Sequence, residues 1–416
     1  MTDFTEIFKK AREASRTLAL MSDEARSAII RRAADLIEAS RGELLEANRL
    51  DLSRMEETNP LYDRLKLTDA RLDAIASDMR AVAAMQSPVG EVFENRTLPN
   101  GIELKKVRVP FGVVGVVYEA RPNVTFDVFS LCLKSGNACL LKGGRDADES
   151  NRAAIKLIHR TLAEGGAPAG CCELMPSTHE ATAALLSAVG YVDVCIPRGG
   201  RKLIDFVRDT ARVPVIETGA GVVHTYFDKD GDLAIGRKIV ENGKTRRVSV
   251  CNALDSLLVH EERLAELGTL FEPLAEKKVE IYADGRSLEA LKGKYPAELL
   301  HEATDADRDR EWMDMKMGVY CVVSVQDAAD HIARYGSGHS ESIVTENAAT
   351  ADEFCRRVDA ACVYVNLPTS FTDGGQFGLG AEIGISTQKL GPRGPMGLRE
   401  ITTYRYILSG HGQTRP

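Results

Sequence analysis

Between residues 111 and 216, short apolar runs alternate with longer amphipathic stretches, and this alternation restricts the fold more than any other feature of the 416-residue chain. Phe111–Tyr118, Ala138–Lys142, Cys172–Met175, Val192–Ile196 and Val213–Ile216 read as strands. Val124–Lys134, Ser150–Glu164, Glu180–Val189 and Arg201–Thr210, which lie between them, carry a helical period. Strands apolar on both faces need cover on both sides, so the expectation is an α/β fold with a mostly parallel sheet. Ligands of such sheets gather beyond the carboxyl ends of the strands. Polar clusters stand at all five of those ends: Arg121-Pro-Asn123, Lys142-Gly-Gly144, Pro176-Ser177-Thr178, Pro197-Arg-Gly199-Gly200 and Glu217-Thr-Gly219. Glycine and proline also end strands for conformational reasons alone, so each cluster has a plain reading beside the functional one. The glycine-rich fingerprint of ordinary dinucleotide folds follows none of these strands, and a nucleotide site here would be built differently.

The remaining chain divides around this block. Residues 1 to about 87 are helical and charged. Ile29, Ile30, Ala33, Leu36 and Ile37 share one face there, with Ser22 or Asp23 as N-cap. Residues 91–109 read as a hairpin turning at Pro99-Asn-Gly101. From 220 to 394 a second α/β region is expected, with strands ending near His260, Tyr282, Val325, Thr345 and Asn366 and helices over 328–335 and 349–361. After a Gly- and Pro-rich stretch, 402–408 is strand-like and could pair with the hairpin or with another subunit.

The formal charge of −8 argues against a broad nucleic-acid surface, though not against a local cationic pocket. None of the nine cysteines forms a Cys-x-x-Cys pair and the eight histidines lack metal-ligand spacing, so no metal is expected. The opening segment is charged from Asp3 and reads as no signal peptide. The most apolar run, Phe111–Tyr118, has only eight residues, so a reducing cytoplasm is the expected compartment.

One cysteine differs from the rest in its company. Cys251 follows Lys244, Arg246 and Arg247, cations that would favour its thiolate, and Glu217 on a separate segment offers a proton-transfer partner. The ordinary alternative is a small buried hydrophobe. The substrate-binding candidates Arg121, Lys244 and Arg247 could equally be surface cations or structural ion pairs.

Larger motifs carry a resemblance. They are Asn59–Leu65, Val109–Thr125, Lys134–Gly144, Ile196–Gly200, Val250–Leu254, Tyr364–Ser370 and Phe377–Thr387. Together they resemble the aldehyde dehydrogenase superfamily and, within it, the reductases of γ-glutamyl phosphate, over essentially the whole chain. The segment Gly243–Ser249 departs from the pattern by Arg246 and by Val248 in place of a proline. The resemblance implies two Rossmann-like α/β domains plus a small β oligomerisation element. It assigns residues 1–90 and 110–219 to NADP binding, 220–394 to catalysis, and 91–109 with 395–416 to oligomerisation. It places the nucleophile on Cys251, the oxyanion-hole asparagine on Asn123 and the general-base glutamate on Glu217. Lys142 and Glu311 fall on ribose-contacting positions, and Ser177, Gly199 and Gly200 complete the expected cofactor contacts. The implied reaction is NADPH-dependent reduction of L-glutamyl 5-phosphate to L-glutamate 5-semialdehyde and phosphate through a cysteine thioester. A homo-oligomer is implied, and hand-over from a glutamate 5-kinase is compatible with it. The competing expectations are a hydrolytic dehydrogenase, which would release a free acid, and a non-catalytic relative, which would have lost the cysteine.

Overall fold

The computed structural model describes residues 3–59 and 61–415. Pro60 of the Asn59–Leu65 motif and residues 1, 2 and 416 lie outside them. The chain forms two compact units. One runs up to Thr218 and includes 378–384 and the chain from Leu390 onward; the other holds 219–377 and 385–389. Residues 378–384 and 390–394, expected with the second region, therefore belong to the first unit.

In the first unit the hairpin is β1 (Val92–Thr97) and β2 (Glu103–Pro110), and Gly101 at φ +81° supplies its turn. The C-terminal strand Thr402–Ser409 pairs antiparallel with β2, from Thr402 opposite Pro110 to Ser409 opposite Glu103. That decides the open pairing in favour of the hairpin. The main sheet follows as β3 (Val113–Tyr118), β4 (Ala138–Lys142), β5 (Cys172–Leu174) and β6 (Val194–Arg198), all parallel in the order β5-β4-β3-β6. Every residue of β3 and β4 is buried, as expected for strands covered on both faces. The fifth expected strand is different: Val213–Ile216 makes a single bridge, Val215 to Cys195, and no ladder strand. Pro214 has no N–H to donate, and Cys195 N–H donates to its carbonyl at 2.8 Å.

The helix Asp23–Ala39 is capped by Ser22, whose side chain accepts from Ala25 N–H, and buries the expected apolar face. Its start is tied to the helix Asn123–Lys134 through Lys134, which is fully buried. The Lys134 ammonium donates to Ser27 Oγ at 2.6 Å and lies 2.7 Å from Asp23 Oδ1.

The second unit is built on a seven-stranded parallel sheet, β10-β9-β11-β8-β7-β12-β13. Its strands are β7 (His224–Phe227), β8 (Ser256–His260), β9 (Glu280–Ala283), β10 (Leu300–Glu302), β11 (Lys316–Val322), β12 (Ser340–Val344) and β13 (Cys362–Val365). The strand expected to end near Val325 stops at Val322. Ser324 then caps the helix Val325–Tyr335 through Asp327 N–H.

Candidate active site

Tracing the main sheet of the first unit, the chain moves outward from β3 to β4 and β5, then crosses to the other side of β3 to lay down β6. The switch lies between β3 and β6, and the candidate residues cluster at the carboxyl ends there. Glu119, just past β3, accepts a hydrogen bond from Gly200 N–H at 2.8 Å, and its own N–H donates to Arg198 O at 3.1 Å. Gly200 is the N-cap of the helix Arg201–Thr210. A Cβ on Gly199 would lie 2.6 Å from Glu119 Oε2, so the backbone of 199–200 is kept bare and close to the carboxylate.

Arg121, half-buried, sits between β3 and the helix Asn123–Lys134, and its carbonyl accepts from Val124 N–H at 3.0 Å. Asn123 opens that helix. Its amide donates to Asp127 Oδ2 at 2.9 Å, one turn along the same face. Burial pushes the Asp127 carboxyl up to about 7, with the Asn123 hydrogen bond pulling the other way. Lys142, at the end of β4, is 8% exposed and donates to Gly143 O at 3.0 Å. Burial lowers its pKa, helped by Arg145 and opposed by Asp148. Ser177 is half-buried after β5, and its carbonyl accepts from Arg145. Glu217, half-buried on the loop beyond Val215, lies 3.8 Å from Arg208.

In the second unit the candidate residues sit at the amino ends of the strands, opposite to the expectation for such sheets. Cys251 and Asn252 form a turn ahead of β8, and Glu311 lies ahead of β11. Of the nine cysteines six are buried; Cys251 and Cys321 are half-buried and Cys355 exposed. Burial pushes the Cys171 and Cys195 thiols up to about 12 and also raises Cys321 and Cys355. The Cys251 turn is held from several sides. Asn252 donates to Thr372 O at 2.9 Å and accepts on its carbonyl from Thr369 Oγ1, also at 2.9 Å. Leu254 N–H donates to Gly243 O at 3.0 Å. Gly221 packs so closely that a Cβ there would stand 1.6 Å from the Cys251 carbonyl oxygen. Glu311 accepts from Gly221 N–H at 3.2 Å.

Arg246 and Arg247 are exposed ahead of the turn. Lys244 corrects an expectation. It is fully buried, its ammonium donates to Leu254 O at 3.1 Å, and it presents no charge at the surface for a substrate anion. Two residues that the sequence reading passed over stand in these networks. Asp127 could have been found from its four-residue spacing to Asn123 on one helix face. Asp255, 2% exposed four residues past Cys251, lies where no periodicity guides a reading. Among the described residues no cluster of potential ligands could hold a metal ion, and no helix is long and apolar enough to cross a membrane.

One parallel α/β unit with polar residues at the carboxyl ends of its strands and a second α/β unit carrying a half-buried thiol on a braced turn agree with the family comparison. The model described as Aldehyde dehydrogenase family matches residues 1–279, and the chain belongs to that family. Within it the chain groups with proteins named γ-glutamyl phosphate reductase. One from Bacteroides thetaiotaomicron is 56% identical over 414 residues, covering 100% of this chain and 99% of the relative. Another, from Pelodictyon phaeoclathratiforme, is 55% identical over 404 residues, covering 97% of each. The crystal structure of γ-glutamyl phosphate reductase from Thermotoga maritima superposes with a TM-score of 0.95 at 40% identity, covering 100% of both chains.

Proposed function

We infer that this chain reduces L-glutamyl 5-phosphate to L-glutamate 5-semialdehyde and phosphate, the second step from glutamate to proline, through a thioester on Cys251 and at the expense of NADPH. The observation that carries the reading is the Cys251 turn: a half-buried thiol on a loop packed against Gly221, with exposed Arg246 and Arg247 just ahead of it. The full-length similarity to proteins of that name supports the same reading.

In this reading the Cys251 thiolate attacks the acyl carbon. The oxyanion that develops is held by the Asn123 amide and the Cys251 N–H. The C–O bond to phosphate breaks, phosphate leaves with the electron pair, and a thioester remains. A nicotinamide cofactor, once held by Lys142, Ser177, Gly199, Gly200 and Glu311, would supply the hydride that the thioester carbon takes up. Collapse of the resulting thiohemiacetal breaks the C–S bond, which releases the aldehyde and restores the thiolate.

Phosphate is the acyl group's partner here, so Glu217 has no water to activate against the thioester, and the reading leaves it a secondary part. Lys142, Ser177, Gly199, Gly200 and Glu311 are the residues proposed to hold the nucleotide. Gly199 and Gly200 leave the backbone bare at the start of the helix Arg201–Thr210, where Glu119 accepts the Gly200 N–H. Arg121 and Arg247 are the proposed partners of the substrate's phosphate and carboxylate, because a guanidinium meets either anion with two parallel hydrogen bonds. The proposed assembly is a cytoplasmic homo-oligomer.

The test runs the reaction backwards. Glutamate semialdehyde and NADP should give phosphate-dependent NADPH formation with the native chain and none with Cys251→Ala. Turnover that ignores phosphate would replace this reading with a hydrolytic dehydrogenase in which Glu217 is the base.

A further inference from the structure

Asp255, next to the Cys251 turn, connects several segments. Its carboxylate accepts from Trp312 N–H at 2.9 Å and from Val223 N–H at 3.3 Å. Its own N–H donates to Val223 O at 3.0 Å, and its carbonyl accepts from Gly318 N–H at 2.8 Å. One side chain therefore joins the segments entering β7, β8 and β11. Trp312 is fixed in turn, its ring 4.5 Å from that of Tyr282 and under the Arg310 guanidinium at 4.4 Å. The next residue, Met313, has φ +53°, a conformation a side-chain-bearing residue keeps only where its surroundings impose it.

These contacts close on themselves. From Cys251 the chain runs four residues to Asp255, which holds Trp312. Glu311, the preceding residue, accepts from Gly221 N–H, and Gly221 abuts the Cys251 carbonyl. We propose that Asp255 is a positioning residue that closes this ring and so fixes the Cys251 turn relative to the Glu311 carboxylate. The inference rests on the proposed reading of Cys251 as nucleophile and Glu311 as a nucleotide contact.

Burial raises the Asp255 carboxyl and lowers the Lys244 ammonium, and the field of each opposes the shift of the other. Such a pair tolerates joint replacement by neutral groups far better than removal of one partner. Lys244 donates to Leu254 O, which ties the helix end to the turn.

The experiment uses the full chain with Asp255→Asn and with the neutral pair Lys244→Met/Asp255→Asn, followed by thermal melting and by kcat and nucleotide KM. Asparagine keeps the shape but has only one side-chain acceptor for two N–H groups. The expected result is a cooperatively melting protein with kcat lowered by about 100-fold, as for an ångström-scale misplacement, and a raised nucleotide KM. A lowered melting temperature with native kcat and KM in either variant overturns the proposal, because a brace with only a structural role would give that result. Hydrogen exchange on the native chain is a second measurement that needs no variant. The Trp312 and Val223 amides should be among the slowest of the unit, and rapid exchange at both would also overturn the proposal. Cys251→Ala in parallel separates the two claims. An active Cys251→Ala defeats the thioester reading, whereas native constants in the Asp255 variants defeat only the ring.

Discussion

Asn123 and Asp127 share one turn of one helix, and their contact sets what each can do. One amide hydrogen of Asn123 is engaged by Asp127, and in the proposed reading its other N–H serves the oxyanion. Removing Asn123 by alanine should lower turnover by about 100-fold or more, the usual loss for one such donor. Glu217→Ala should lose clearly less than Asn123→Ala or Cys251→Ala, and equal losses in steady-state kcat would refute that order. Asp127 also makes a prediction about pH. Its folded pKa, about 7, is above the unfolded value, so its neutral form stabilises the fold at low pH and that contribution fades as pH rises through about 7. Urea midpoints measured between about pH 6 and about pH 8 should show Asp127→Asn gaining on the native chain as pH rises. Asn123 and Cys251 could be singled out in the chain because each sits in one of the motifs that carry the resemblance. Asp255 could not, since it works through backbone N–H groups from segments distant in sequence.

Elements follow the same division. β3 and β4 were readable because an uninterrupted apolar run has little choice but a covered strand. Val213–Ile216 looks the same by hydropathy, yet Pro214 removes a ladder donor and leaves one bridge. Lys244 was misread for a related reason. A lysine near a cysteine looks like a surface cation until the fold turns it inward, and no local pattern records that turn. The loops ahead of β7 and β8 are more tightly joined than their sequence suggests, and Gly221 is the narrowest point between them. Gly221→Ala forces the two backbones apart at the Cys251 carbonyl. Activity should fall by about 100-fold and the melting temperature should fall with it, because the atoms that must give way are backbone. Steady-state assay beside a melting curve checks both halves.

At the scale of the whole molecule, the three-stranded sheet of β1, β2 and the C-terminal strand has a largely open surface. Phe93, Tyr404, Tyr406, Ile407 and Leu408 are all exposed, and Lys106 rests over the Tyr404 ring at 3.8 Å. The C-terminal strand is also an edge, pairing only with β2. An apolar edge of this kind is a template for another strand. If it joins copies of this chain, Ile407→Glu/Leu408→Glu should lower the assembly mass measured by light scattering while the monomer still melts cooperatively. An unchanged mass would place the oligomer contact elsewhere. Both the strand and another subunit as its candidate partner were named from the sequence, and the resemblance assigned 395–416 to oligomerisation.

The second unit's arrangement has a practical consequence. Every candidate residue there lies where the chain enters a strand, on the turns before β8 and β11, whereas the exits from β9 and β12 carry only the capping residues Asp284 and Asn347 and their helices. Those exits form a rear face with no assigned chemical role. A fluorophore or short peptide tag grafted just beyond either cap would sit at the end of this sheet away from the candidate residues.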